Sequence, residues 1–459
     1  MNISNIHSAY FIGIGGIGMS AIARYFNSEG ISVSGYDRVE TALTRELVSE
    51  GMNIIYTDDA QLLPEQVDIV IYTPAIPEDN KVKNAWLSRG HHLYKRAEVL
   101  GLLTEDKKLV AVAGTHGKTT TSVILTHVLR ESGLDCTGFL GGISVDFNGN
   151  FIHGLSEWVV AEADEYDRSF LQLHPQIAII TSLDPDHLDI YGDEEEMKRN
   201  YLQFLSQVKR GGWVIMHKDV FNQLSNEEIA RIQHGTELLI YGENMAKCGF
   251  TGLKYESGRV QFSWMDNNGD ESNVQLGMPG KHNVSNAVAA LTIGHLLEVD
   301  KKLMMDGLAN FKGIRRRFET RYKDAQRVVI DDYAHHPSEL SAAIRACRDL
   351  YPGRKITGVF QPHLYTRTKD FYRGFASALD ELDEIYILDI YPARELPIEG
   401  VTANLIAREM NNKKVLCTNM QRITEEININ ELDVLLVLGA GNIVDVIPDF
   451  IQKIKKIVE

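Results

Sequence analysis

The stretch 109–122, LVAVAGTHGKTTTS, constrains the fold of this chain more than any other. An unbroken apolar run meets a glycine turn, and a lysine followed by threonines opens the next segment. Runs of this kind are those of parallel strands buried on both faces, and a strand that enters a helix through glycines is the unit of an α/β sheet. Backbone N–H groups and the helix N-terminus then cradle phosphate oxygens. The strict Walker pattern has a glycine where this chain has Val112, so the loop is a shortened form, Gly114-x-x-Gly117-Lys118-Thr119. Gly114, Thr115, His116, Gly117, Lys118, Thr119 and Thr120 are expected to hold a nucleotide. Lys118 would neutralise β/γ charge and the Thr119 hydroxyl would face Mg2+.

Such a loop does chemistry only when an acid on a neighbouring strand completes the metal site. In WVVAEADEYDRSF an apolar run leads directly into Glu162, at the carboxyl end of an expected central strand, where open α/β sheets collect ligands. Another strand, in IAIITSLDPDHLDIYGD, leads into Asp186 and His187. Alone that pair reads as a helix cap; beside Thr119 and Glu162 it reads as part of a hard-cation site.

A second glycine loop opens the chain. FIGIGGIGMS gives Gly13, Gly15 and Gly18 in G-x-G-x-x-G spacing, with Gly16 between, and Asp37 follows near the end of the next strand. This is the dinucleotide fingerprint, in which an acid about 20 residues on bonds a ribose hydroxyl. A tight turn without ligand would also explain the glycines, but the context favours a nucleotide, and the spacing does not choose which.

The chain has 459 residues, enough for roughly three domains. Apolar runs alternate with helix-length segments throughout, as in parallel sheets covered by helices. A first α/β block closes near GLLTEDKKL; the second begins at Leu109, with strands at LVAVAG, WVVAEAD and IAIITSL and a β-rich insertion around 238–274. A third starts at RVVIDDY, after the basic cluster RRRFE, with strands at KITGVFQ, EIYILDI and DVLLVLGAG. A net charge of −16 argues against a nucleic-acid partner, and the four cysteines lack metal-ligand spacing. The opening MNISNIHSAY is not a signal peptide and no apolar stretch is long enough to insert in a membrane, so a cytoplasmic protein is expected. A homo-oligomer is allowed by the sequence and not required by it.

Taken in order, FIGIGGIGMS, GTHGKTTT, EADEYDRSFLQL, DPDHLDIY, PGKHNVSNAVAA, FKGIRRRFE, DDYAHHPSE, FQPHLYTRT and DIYPARE resemble the ATP-dependent Mur ligases of bacterial cell-wall synthesis, on the alanine-adding branch. The resemblance implies three domains: a Rossmann-like domain for a UDP-sugar (1–106), a P-loop ATPase-type central domain (107–315) and a Rossmann-like carboxy-terminal domain (316–459). It assigns the first loop to UDP rather than NAD, with Gly13, Gly15, Gly16, Gly18, Asp37, Thr73 and Arg96 on the sugar nucleotide. Lys118 would contact ATP, with Thr119, Glu162 and His187 on magnesium. His282 and Asn283 would meet adenine and Asp332 the ribose. Arg316 or Arg317 would stabilise the transferring phosphate, and Tyr333, His363 and Arg367 would surround the amino acid.

The implied reaction joins L-alanine to the lactyl carboxylate of UDP-N-acetylmuramate through an acyl phosphate, in peptidoglycan precursor synthesis. His335, His336 and His363 are candidate bases for the amine. Two positions depart from the family pattern. Leu364 stands where relatives often have Arg, and Tyr201 aligns with a lysine that sister ligases carbamylate. The nearest alternative is the muropeptide-recycling branch, which usually has a different first loop and DDFAHHP in place of DDYAHHP. An NAD-dependent oxidoreductase would leave the Lys-Thr loop and Glu162 unexplained, and a non-catalytic nucleotide-binding module would not need FQPHLYTRT.

Overall fold

The computed structural model describes residues 5–458 apart from 186, 187, 257, 258, 394, 412 and 413. The chain forms two compact units, one of Met1–Thr251, Ser263–Val274 and Ser285–Phe311, the other of Gly252–Phe262, Gln275–Val284 and Lys312–Glu459.

The first unit opens with β1 (Ser8–Ile12), β2 (Ser32–Tyr36), β3 (Asn53–Ile55), β4 (Ile69–Tyr72) and β5 (Leu93–Lys95), in the sheet order β3-β2-β1-β4-β5. All of its pairings are parallel. In this doubly wound order the chain reverses direction between β1 and β4, and ligands collect beyond the carboxyl ends of those two strands. Gly13 follows β1 and Thr73 follows β4, so these two of the expected sugar-nucleotide residues stand at the switch point. Among the helices are α1 (Ile17–Ser28), α2 (Ala42–Ser49), α3 (Lys81–Ser88) and α4 (Arg96–Thr104).

A larger sheet follows in the same unit. Its strands β6 (Lys108–Ala113), β7 (Thr137–Ser144), β8 (Gly149–Ile152), β9 (Trp158–Glu162), β10 (Ile177–Ile180), β11 (Trp213–His217) and β12 (Glu237–Glu243) run β12-β11-β10-β6-β9-β7-β8. From Leu109 to Ala113 strand β6 is wholly buried, which is why its sequence is continuously apolar rather than alternating. Helix α5 (Lys118–Glu131) leaves its carboxyl end. The expected β-rich insertion holds the strands Gly249–Glu256, Arg259–Met265 and Glu271–Leu276. The β7–β8 hairpin was not anticipated.

In the second unit a six-stranded sheet is built on Val328–Asp332, Ile356–Phe360, Glu384–Leu388, Val415–Thr418 and Val434–Leu438, all paired in parallel. Glu319–Lys323 adds an antiparallel edge. That strand, ETRYK, also escaped the sequence reading, because an exposed edge carries no apolar run.

Candidate active site

Among the described residues, the helix N-termini that follow the two glycine loops are left open. Helix α2 is capped by Thr41 and α3 by Asn80, whereas α1 and α5 have no side-chain cap and no acid in their first turn. Their first N–H groups are therefore available to an anion.

At the first of these, Gly13 has φ +85° and a Cβ there would lie 2.6 Å from the Thr73 methyl. The Gly15 amide donates to Asp37 Oδ2 at 2.8 Å, so the carboxylate expected on the ribose also fastens its own loop. Gly16 is the residue before α1. Beside Gly18 lies the Arg96 guanidinium, which donates to Asp164 Oδ2 at 2.9 Å. A cavity of about 220 Å³ runs from Gly16, Gly18, Thr73 and Arg96 to Glu162, Asp164 and Tyr166.

At the second, Gly117 precedes α5 with φ +82°, and the space its missing Cβ would fill is taken by the Asn286 carboxamide. The loop is stitched to the end of β10: the His116 amide donates to Ser182 Oγ at 2.7 Å, and the Thr115 hydroxyl lies 2.9 Å from the same oxygen. Gly114, at φ +130°, packs directly on the Thr181 hydroxyl. Thr119 Oγ1 donates to Glu162 Oε2 at 2.8 Å, so the hydroxyl and carboxylate expected on a metal meet in space. Thr120 is buried in the first turn of α5.

Lys118 folds back on its loop. Its Nζ donates to the Gly114 carbonyl at 2.7 Å and lies 2.8 Å from both oxygens of Glu165. Burial by itself would lower the ammonium's pKa, but Glu165, Glu162 and Asp164 outweigh it and hold Lys118 protonated. Burial pushes the Glu165 carboxyl up, an effect that Lys118 opposes. Glu165, Asp164 and Asn286 were not singled out from sequence. Acids crowd EADEYD, and spacing alone does not say which of them faces the lysine; just beyond Glu165 the backbone turns left-handed at Asp167 and Arg168, with φ +54° and +53°.

The residues expected around the amino acid and the ribose gather in the second unit. Asp332 accepts from the Phe318 amide at 2.7 Å and the Ala334 amide at 2.8 Å, and burial raises its pKa to about 6. The guanidinium carbons of Arg316 and Arg317 each stand 5.1 Å from the centre of the Tyr333 ring. His335 Nδ1 lies 3.0 Å from the Tyr333 carbonyl and 3.2 Å from Glu339, and its ring centre is 6.1 Å from that of His363. Burial first, then Arg367 and Arg317, lower its pKa to about 4 against the pull of Glu339. Arg367 is buried on the helix Tyr365–Leu379, and Leu364 precedes that helix with φ +71°. His336 caps the helix Pro337–Leu350, with Nδ1 2.8 Å from Ser338 Oγ. Asn283 is buried; its Nδ2 donates to the Pro279 carbonyl at 2.6 Å, and its Oδ1 has no hydrogen-bond partner among the described residues. His282 is exposed at the start of the helix Lys281–Leu296.

Asp186 and His187 lie outside the described residues, and among those described no group of three or more His, Cys, Asp or Glu forms a metal cage. Magnesium takes much of its shell from water and substrate phosphates, so one or two protein oxygens suffice. Tyr201 is buried, its ring 5.1 Å from Phe170, and packs in the core.

Three family models match the chain in order: the Mur ligase family catalytic domain over residues 8–108, the Mur ligase middle domain over 112–294 and the glutamate ligase domain over 316–441. The chain belongs to the Mur ligase family. This Mur ligase is 44% identical to the UDP-N-acetylmuramate--L-alanine ligase of Cytophaga hutchinsonii over 471 aligned residues, covering 100% of this chain and 98% of that protein. It is also 44% identical to the corresponding ligase of Porphyromonas gingivalis strain W83, covering 95% and 96%. Among solved structures, the UDP-N-acetylmuramate-alanine ligase of Thermotoga maritima superposes with a TM-score of 0.82 at 28% identity, covering 98% of this chain and 99% of that one. A murein peptide ligase from Psychrobacter arcticus shares the fold, with a TM-score of 0.71 at 20% identity over 98% of both chains. No described helix of this Mur ligase is long and apolar enough to cross a membrane.

Proposed function

We propose that this Mur ligase joins L-alanine to the lactyl carboxylate of UDP-N-acetylmuramate at the expense of ATP. The observation that carries the reading is a cavity that runs from the first glycine loop to Glu162, the carboxylate bonded to Thr119 of the second. The uncapped α1 terminus and Arg96 line one part of it, Glu162 and Asp164 another. A sugar nucleotide anchored by its diphosphate at Gly13, Gly15, Gly16 and Gly18 can therefore carry a carboxylate toward the groups that handle a γ-phosphate. Relatives named for alanine addition are 44% identical over nearly the full length, against 20% for the murein peptide ligase, which favours alanine over the recycling alternative.

Lys118 and the open α5 terminus would bind the ATP phosphates. Thr119 and Glu162, already hydrogen-bonded to each other, would hold Mg2+, together with His187 by family resemblance; the ion would offset charge on the transferring phosphoryl group. The spare acceptor of Asn283 suits the amino edge of adenine, and Asp332 the ribose. The substrate carboxylate attacks the γ-phosphorus, forming an acyl phosphate and ADP. The amine of alanine then attacks the acyl carbon and phosphate departs. Arg316 or Arg317 would stabilise the phosphoryl group, and Tyr333, His363 and Arg367 would surround the amino acid.

Of the candidate bases, His335 is the best placed. Its Nδ1 faces the Tyr333 carbonyl and Glu339, a geometry that puts the proton on that nitrogen and leaves Nε2 free to accept one. Its lowered pKa leaves the ring neutral, though a weak proton acceptor, at working pH, so the case for it is its position, while His336 is occupied as a helix cap. We further assign domain limits at 106/107 and 315/316, and a cytoplasmic location.

Phosphate release by purified protein with ATP, Mg2+ and UDP-N-acetylmuramate tests the reading, comparing L-alanine with the muropeptide tripeptide as acceptor. Release with alanine is expected. Release with the tripeptide alone would replace this reading with the recycling one.

A further inference from the structure

The hairpin β7–β8 that escaped the sequence reading does more than extend a sheet edge. From β8 it inserts the fully buried Asn150 into the side of α1, the helix whose N-terminus closes the first glycine loop. Asn150 Nδ2 donates to the Ile17 carbonyl at 2.5 Å and to Ser20 Oγ at 2.9 Å, and its Oδ1 accepts from Arg24. Both protons and the carbonyl of the amide are thus used. Arg24 is anchored in turn by Glu50, with Nη2 2.7 Å from Oε1. Tyr25, Phe139 and Phe151 pack beside the group, with ring centres 5.4–5.9 Å apart. In such dry surroundings a fully satisfied polar cluster fixes one geometry, and an unmatched one is costly.

The other strand of the hairpin reaches Glu162, the carboxylate bonded to Thr119. Strand β7 pairs with β9 through Phe139 and Ala161, the residue before Glu162. Further along, Gly141 packs directly against the Glu162 carboxylate, where any Cβ would overlap it. A single hairpin therefore touches Ile17, which lies between Gly16 and Gly18 of the first glycine loop, and Glu162.

We propose that Asn150 is a positioning residue: through the β7–β8 hairpin it fixes the first turn of α1 at a set distance from Glu162, so that a sugar nucleotide held by its diphosphate presents its carboxylate to the γ-phosphate. The proposal rests on the function assigned above. Asn150 touches no substrate; it acts through Ile17.

The test is steady-state kinetics of the full-length enzyme with KM resolved for each substrate. Asn150→Ala is expected to raise KM for UDP-N-acetylmuramate about tenfold and lower kcat about tenfold, leaving KM for ATP within about twofold. Asn150→Asp separates positioning from filling and pairing. It keeps the partner of Arg24 but turns an oxygen toward the Ile17 carbonyl, so it should fail as Ala does; a merely structural asparagine would be replaced without this split. Ser20→Ala removes the bond accepted from Asn150 and the one donated to the Ile17 carbonyl but keeps the Asn150–Ile17 bond; it should move the same KM about two- to threefold, which keeps the proposal testable if Asn150→Ala does not fold. Wild-type kinetics in Asn150→Asp, or a kcat that falls only with the folded fraction at unchanged KM values, would overturn the proposal. Wild-type enzyme without ATP-dependent alanine ligation would instead overturn the assigned function.

Discussion

The two glycine loops use one backbone device for different ends. Each follows a buried parallel strand, reverses through a glycine at positive φ and opens a helix with no side-chain cap. They differ in what faces the helix end. At Gly13 it is the Thr73 methyl, Asp37 tied to the Gly15 amide, and Arg96. At Gly117 it is a protonated lysine, a hydroxyl, the buried carboxylate of Glu165 and the half-buried one of Glu162. In the proposed reading the first set holds a diphosphate and leaves it unchanged. The second can stabilise charge that moves, which is what phosphoryl transfer demands. A strand–glycine–helix turn therefore identifies an anion site, and only the side chains around it say whether the anion is held or transferred.

Substitutions that separate the loops sharpen this contrast. The largest loss is expected from Glu162→Gln, which removes the charge beside Thr119: kcat should fall about 10²–10³-fold with binding of UDP-N-acetylmuramate unchanged in equilibrium titration. Equal loss of both would merge the two roles. Gly15→Ala comes next, since its Cβ would lie 2.7 Å from Thr44 Cγ2 and 2.8 Å from Asp37 Oδ2. KM for the sugar nucleotide should rise about tenfold while KM for ATP stays put; a rise in the ATP KM would break the comparison.

The smallest effect concerns stability. Folding lowers the His335 pKa to about 4 from the ordinary 6.5, so between those values the unfolded chain binds more protons. This contribution is fully present above pH 6.5 and is lost as pH falls toward 4. Denaturant titrations of wild type and His335→Gln at pH 7.5 and 5 should therefore show wild type losing about 2 kcal/mol more than the variant. The carboxyl groups of Asp331 and Asp332, raised to about 6, act in the opposite sense but are common to both proteins.

What the sequence disclosed follows from where each segment lies. Strands buried on both faces, such as 109–113 and 434–438, print as apolar runs, and both loops print as glycines at fixed spacing. The hairpin TGFLGGIS and GNFI is rich in glycine because Gly141 must clear Glu162, so it carries little strand signal. Glu319–Lys323 faces solvent at a sheet edge and is polar for that reason. Glu162 and Lys118 were legible because a motif places them. Glu165 and Asn150 were not, because their partners Lys118 and Ile17 stand 47 and 133 residues away in sequence.

The division of labour between the loops is tested most directly by calorimetric titration of Lys118→Ala with each nucleotide. UDP-N-acetylmuramate should bind within about twofold of wild type while ATP affinity falls about 100-fold or more and turnover disappears. Equal loss of both ligands would contradict the assignment of one loop to holding and the other to transfer.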